Sequence, residues 1–243
     1  MKKFLLALQF LTIIPIKIKS ADDKEIAGSL IYFPIAGLFI GLALAGINGL
    51  LGFLNVPRLA TDTILIVSLI AMTGGIHLDG LADTSDALLS ARSKDEMLKI
   101  MRDPHIGVMG VISIISILLL KIAFLFSLDP SLVPTGLVLM CVSSRWSLVL
   151  WLFLFPYARQ EGKAKVFAEG INYKIFILAT IIAFICTLII AQLKGLLILG
   201  IITLCACLIG KLINKKIGGI TGDTIGAVSE INETLTLFCA LLI

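Results

Sequence analysis

From Leu30 to Val56 the chain runs for 27 residues without a charged side chain. As a helix this stretch is about 40 Å long at 1.5 Å per residue, more than the roughly 30 Å hydrocarbon core of a bilayer. A backbone in that core must satisfy its own N–H and C=O groups, so a run of this length is a spanning helix. Further apolar stretches follow at Thr63–Ile76 (opening near Leu59), Ile106–Phe126, Leu132–Phe155, Ile175–Leu193, Gly195–Leu212 and Thr224–Ile243. Hydrophobic residues make up 58% of the 243, charged residues 15%, and mean hydropathy is +1.08. No soluble domain of this size needs so much apolar material. The expected fold is all-α and polytopic, with about seven transmembrane helices forming one membrane-embedded domain over 1–243. Pro34, Gly37, Gly41, Gly46 and Gly49 suggest that the first span packs closely against neighbours.

The N-terminus, Met1-Lys2-Lys3 followed by Phe4–Leu8, imitates a signal peptide. Gln9 and Thr12 interrupt it, Pro15 ends it, and no small-x-small cleavage site follows. It is expected to be a short re-entrant or interfacial helix.

Three polar inserts separate the spans, at 77–105, 156–174 and 214–223. Sixteen of the twenty basic residues fall on one side of a seven-span chain, among them Lys2, Lys3, Lys17, Lys19, Lys24 and those of the three inserts. Arg58 and Lys194 lie opposite, and Lys121 and Arg145 lie within apolar stretches. The positive-inside rule puts the N-terminus and all three inserts in the cytoplasm, in the inner membrane. Any active site then lies at that surface, while the outer Asp62 and Asp129 read as structural. Basic residues spread this thinly, without an aromatic platform, exclude nucleic-acid binding. The five cysteines lie in apolar stretches, with no Cys-x-x-Cys pair and no histidine at zinc spacing. They read as small buried side chains.

The first insert opens Gly74-Gly75-Ile76-His77-Leu78-Asp79-Gly80-Leu81-Ala82-Asp83-Thr84-Ser85-Asp86. On a helix, Asp79, Asp83 and Asp86 stand at i, i+4 and i+7 and share a face. Three like charges there repel unless a counter-ion joins them, and Mg²⁺ suits a few carboxylates plus substrate phosphates. The plain alternative is a helix end turning into water. Near span three, Met101–Gly110 carries Arg102, able to neutralise phosphate, and Asp103, able to cap the helix or bind metal, before Pro104. Arg145 follows Ser143-Ser144 inside span four, where a charge needs a partner. The glycine-rich Gly218–Ala227 turn lets backbone N–H groups approach a phosphate but is not a Walker loop. Glu230 and Glu233 then stand in an apolar helix, as metal or substrate groups or as a buried pair with Arg145.

Taken in order, Phe10-Leu11-Thr12-x-x-Pro15, Gly-Gly-x-His-x-Asp-Gly-Leu-Ala-Asp-x-x-Asp, Arg-Asp-x-x-Ile-Gly, Ser144-Arg145 and Gly218–Ala227 resemble the cobalamin synthase family over essentially the whole chain. One departure is His105, where that family more often carries arginine. The resemblance implies an integral membrane enzyme using Mg²⁺. Its small-molecule substrates would be adenosylcobinamide-GDP and α-ribazole or its 5′-phosphate; GMP leaves as cobalamin or its phosphate forms. Asp79 and Asp83 are then expected as metal ligands, with Asp86 as third ligand or base and Glu230 as a further ligand. Asp83, Asp86 and Arg145 are the expected catalytic residues. Arg102 or Arg145 would hold phosphate. His77, Gly219, Thr221, Gly222 and Asp223 would contact substrate, the turn taking guanosine nucleotide or a second phosphate. A CDP-alcohol phosphotransferase is the nearest rival, but its downstream Gly-x-x-x-Asp-x-x-x-Asp spacing is missing. A cation-coupled transporter would want its acids nearer the midplane. The lipid bilayer is an expected partner, and a homo-oligomer is neither required nor excluded.

Overall fold

The structure, a computed structural model, describes residues 1–18, 20–90 and 92–242. Lys19 of the N-terminal basic group, Ala91 of the first insert and Ile243 of the last apolar stretch lie outside the described residues. The protein is an all-α polytopic membrane protein. Among the described residues the sole β pairing is an isolated bridge, Tyr157 to Ile220.

Helix α1 (Lys2–Leu11) is ten residues long, too short to span, and packs on the start of the first long helix. α2 (Asp23–Gly28) opens with a capping box between Asp22 and Glu25 and runs through a 3-10 turn into α3 (Phe33–Phe53). Gly37 and Gly41 of α3 lie directly on the backbone of α8 (Val133–Leu154), whereas Gly46 and Gly49 face open space. Close packing therefore belongs to the first half of α3. α8 is the hub: α3, α10 (Tyr173–Ile217) and α11 (Gly222–Leu242) surround it, and even Arg145 at its middle is fully buried.

α4 (Arg58–Thr73) is tied to α7 (Val108–Ser127) by Arg58. Its Nε donates to Asp62 at 2.7 Å, and Nη2 donates to the carbonyls of Leu125 and Leu128. Asp62 is thus structural, as is Asp129, which accepts from Ser131 N–H at 2.8 Å. Gly74 and Gly75 both have positive φ, +65° and +69°. Only glycine adopts two such residues in a row cheaply, and here they turn the chain by 91° into α5 (Ile76–Leu88).

After α6 (Lys94–Ile100), α7 and α8 comes α9 (Lys165–Gly170), then the 45-residue α10 (Tyr173–Ile217). α10 breaks at Ala191 and Gln192, the latter at φ +52°. A Cβ at Gly195 would fall 3.1 Å from the Thr187 carbonyl carbon. Eight residues along a straight helix span about 12 Å, so α10 doubles back on itself. The turn is at Ala191–Gln192 rather than at Lys194. α11 (Gly222–Leu242) closes the bundle. Among the described residues, five helices are long and apolar enough to cross a membrane, six if the bent α4–α5 pair is one span. The sequence count of seven requires α4 and the two halves of α10 to be counted separately.

Candidate active site

α5 crosses the start of α11 at close range. A Cβ at Gly80 would lie 3.0 Å from Asp223 Cα, and one at Gly226 would lie 3.2 Å from His77 Cα. This crossing brings the first insert and the glycine-rich turn together. The third participant is the loop after α8. Ile220 N–H donates to the Pro156 carbonyl and Ala158 N–H to the Ile220 carbonyl, each at 2.8 Å. That pairing sets Arg159 against Asp223, Nη1 to Oδ2 at 2.8 Å.

Two compartments meet at Asp79. The acidic one, about 220 Å³, is bordered by Asp79, Asp83, Arg102 and Asp103. The other, about 270 Å³, has a mouth of Asp79, Arg159, Lys163 and Asp223 over a floor of Phe10, Phe33 and Phe167. Those three rings pack with centroids 4.7–5.8 Å apart. α5 leaves α4 at a right angle, and in the seven-span count Asp79 and Asp83 lie outside the spans. Burial, reinforced by the charges of Asp79, Asp223 and Asp86, pushes the Asp83 carboxyl up to about 6.

Asp86 shares the face but serves α7. Its carboxylate accepts from Gly107 N–H at 2.7 Å and Gly110 N–H at 2.8 Å, capping α7 from another helix. The sequence offered Asp103 for that cap. Instead Asp103 accepts from the backbone and ring of His105 at 2.9 and 2.6 Å, which lowers its pKa. α7 begins at Val108, beyond Pro104.

Of the glycine-turn residues, Gly222 and Asp223 line the second compartment. Thr221 and Gly219 do not. Thr221 is fully buried and trades hydrogen bonds with Thr224 to cap α11, Oγ1 accepting at 3.2 Å and N–H donating at 2.8 Å. Gly219 is pressed against the Ala158 N–H, with no room for a side chain or a ligand. His77 lines the same compartment from below and reaches Ser229 Oγ at 3.3 Å.

Arg145 and Glu230 belong elsewhere. Lys121 donates to Glu230 at 2.6 Å and to Glu233, and Arg145 Nη1 donates to Glu233 and to Ser144 at 2.8 Å, all of them buried. Two cations offset two carboxylates beneath the cleft. His77, Glu230 and Glu233 are spaced closely enough for a cation, but Lys121 and Arg145 already neutralise both acids. The structure therefore takes Arg145 out of the cleft and Glu230 away from the Asp79 face. Arg159, Lys163 and Tyr157 were missed as site residues, Arg159 being counted only as a basic loop charge. Its place immediately after a spanning helix, near a glycine turn, was the available signal.

The sequence profile of the family described as cobalamin-5-phosphate synthase matches residues 3–241. Similar proteins named adenosylcobinamide-GDP ribazoletransferase occur in Desulforamulus reducens, 40% identical over 98% of this chain and 95% of that one, and in Roseiflexus sp., 38% identical over 95% and 86%. A third, from Fusobacterium nucleatum, is 35% identical over 100% and 98%. No solved structure matches the chain. The match over nearly the whole length, with the acidic and glycine-rich motifs meeting in one cleft, means that this chain belongs to the cobalamin-5-phosphate synthase family.

Proposed function

We propose that this protein is a transferase joining adenosylcobinamide-GDP to α-ribazole or its 5′-phosphate, with release of GMP. Family membership supplies the reaction, and one observation carries the residue assignment. Asp79 borders both compartments, so a pyrophosphate on the acidic side and an acceptor on the aromatic side would meet there. The donor set fits a hard divalent cation such as Mg²⁺. Asp79, Asp83 and Asp103 offer oxygens only, and burial together with the neighbouring carboxylates holds Asp83 against ionisation. Asp79 and Asp83 would hold that ion. An ion held there would supply neutralisation of the pyrophosphate charge.

Arg102 faces the same compartment and holds the phosphate of the departing GMP. The transition state of phosphoryl transfer is loose, so the acceptor hydroxyl needs orienting more than a strong base. An Asp79 carboxylate oxygen turned to the aromatic side orients the hydroxyl and takes its proton.

The one-sided basic residues support a seven-span topology with the cleft at the cytoplasmic face of the cell membrane. Exposed side chains such as Val111, Ile115 and Leu119 of α7 then face lipid. The reaction is tested with detergent-purified protein, adenosylcobinamide-GDP and α-ribazole, followed by GMP release. Release that needs both substrates and a divalent cation supports the reading. Equal GMP release without α-ribazole would reduce the protein to a hydrolase.

A further inference from the structure

Arg159 is the least satisfied polar side chain of the cleft. It is about nine-tenths buried, one nitrogen is held by Asp223, and Nε and Nη2 have no partner among the described residues. Those two nitrogens form one edge of the guanidinium plane, the fork that grips two oxygens of a phosphate side-on. Buried N–H groups are normally paired, and Arg159 lines the aromatic compartment with Lys163 at its exposed rim.

We infer that Arg159 is a specificity-determining residue that reads the phosphate of a phosphorylated acceptor, α-ribazole 5′-phosphate; this rests on the transferase reading above. The compartment argues for the acceptor over the donor. At about 270 Å³ it is far too small for a corrin ring but suits a nucleotide. Its floor is mostly apolar, with Phe10, Phe33, Phe167, Leu148 and Leu152 beside His77 and Tyr157. That suits the broad apolar face of a benzimidazole. With the base on the phenylalanines and the phosphate on Arg159, the ribose lies at the mouth near Asp79, where the hydroxyl must react. Asp223 fixes the guanidinium through its third nitrogen, so the fork is oriented before the ligand arrives. The backbone pairing of Pro156 and Ala158 with Ile220 holds both partners.

The test is the ratio of kcat/KM for α-ribazole 5′-phosphate over α-ribazole, at saturating adenosylcobinamide-GDP and Mg²⁺, in wild type and Arg159→Gln. Wild type should favour the phosphorylated acceptor by more than about tenfold. Arg159→Gln should bring the ratio below about threefold, chiefly through KM, and Arg159→Lys should restore only part of it. An unchanged ratio with both acceptors slowed alike, or a rise in KM for adenosylcobinamide-GDP, would overturn the assignment and favour the donor guanosine there. If Arg159→Gln is not monodisperse, wild type decides. Inorganic phosphate should compete with α-ribazole 5′-phosphate and not with the donor, and the reverse pattern overturns the proposal. No GMP release by wild type with either acceptor would overturn the reaction itself, and this assignment with it.

Discussion

Asp83 and Asp86 lie three residues apart on one face of α5 and are used in opposite ways. Both Asp86 oxygens are spent on the first N–H groups of α7, while Asp83 faces the cleft among other acids. Asp83→Asn removes a charge that the metal-free protein tolerates poorly. Because the folded pKa is raised from 3.8 to about 6, ionisation costs stability as pH rises through that window. Metal-free Asp83→Asn should therefore melt higher than wild type at pH 8, and the two should converge near pH 4. Saturating Mg²⁺ should abolish the difference or reverse it. A constant offset at every pH would contradict the crowding of charge at Asp83. Deeper down, Lys121→Met should cost about 3–5 kcal/mol, the usual penalty for orphaning a buried charge, read as a loss of thermal stability in detergent. Arg145 meets Glu233 through one nitrogen, not as a fork. Arg145→Lys is accordingly expected to keep turnover, against the sequence expectation of a catalytic guanidinium.

At the level of helices, the cleft exists because α5 and α11 cross without side chains between them. Gly80→Leu has no space above the Asp223 backbone and should separate the helices. GMP release should fall by at least a hundredfold while the protein stays monodisperse in detergent. Asp86→Ala acts on the cap instead. It should cost about 0.5–2 kcal/mol, with activity of the folded fraction kept within a few-fold. If Asp86→Ala is folded and inactive, Asp86 is a ligand or base after all. The i, i+4, i+7 spacing could place three acids on one face. It could not tell that the start of α7 arrives at the far end of that face, because the contact joins residues more than twenty positions apart. Still longer separations in sequence hid Arg159 beside Asp223 and Lys121 between Glu230 and Glu233.

Across the whole molecule, composition and apolar runs were enough for the all-α membrane class, since hydrocarbon leaves the backbone few options. The sequence carried the second span through Gly74 and Gly75 to Ile76, whereas the structure ends α4 at Thr73 and turns the chain by 91° there. The meeting of the acidic motif with the glycine-rich turn was legible only as two motifs on one side of the membrane. Their contact depends on α8 holding α3, α10 and α11 in register. That common side predicts that cysteines introduced near Asp95, Glu161 and Lys215 are all labelled from the cytoplasm. A periplasmic label at any of them would separate the three inserts and dismantle the cleft. The carboxylates of α5 are decided most directly by GMP release from wild type and Asp83→Asn across a Mg²⁺ titration. At low metal the variant should keep less than about a tenth of wild-type activity, a loss above about 1.4 kcal/mol, with partial recovery in excess Mg²⁺. A variant that keeps more than a tenth at low metal would mean that the cation is not held by Asp79 and Asp83.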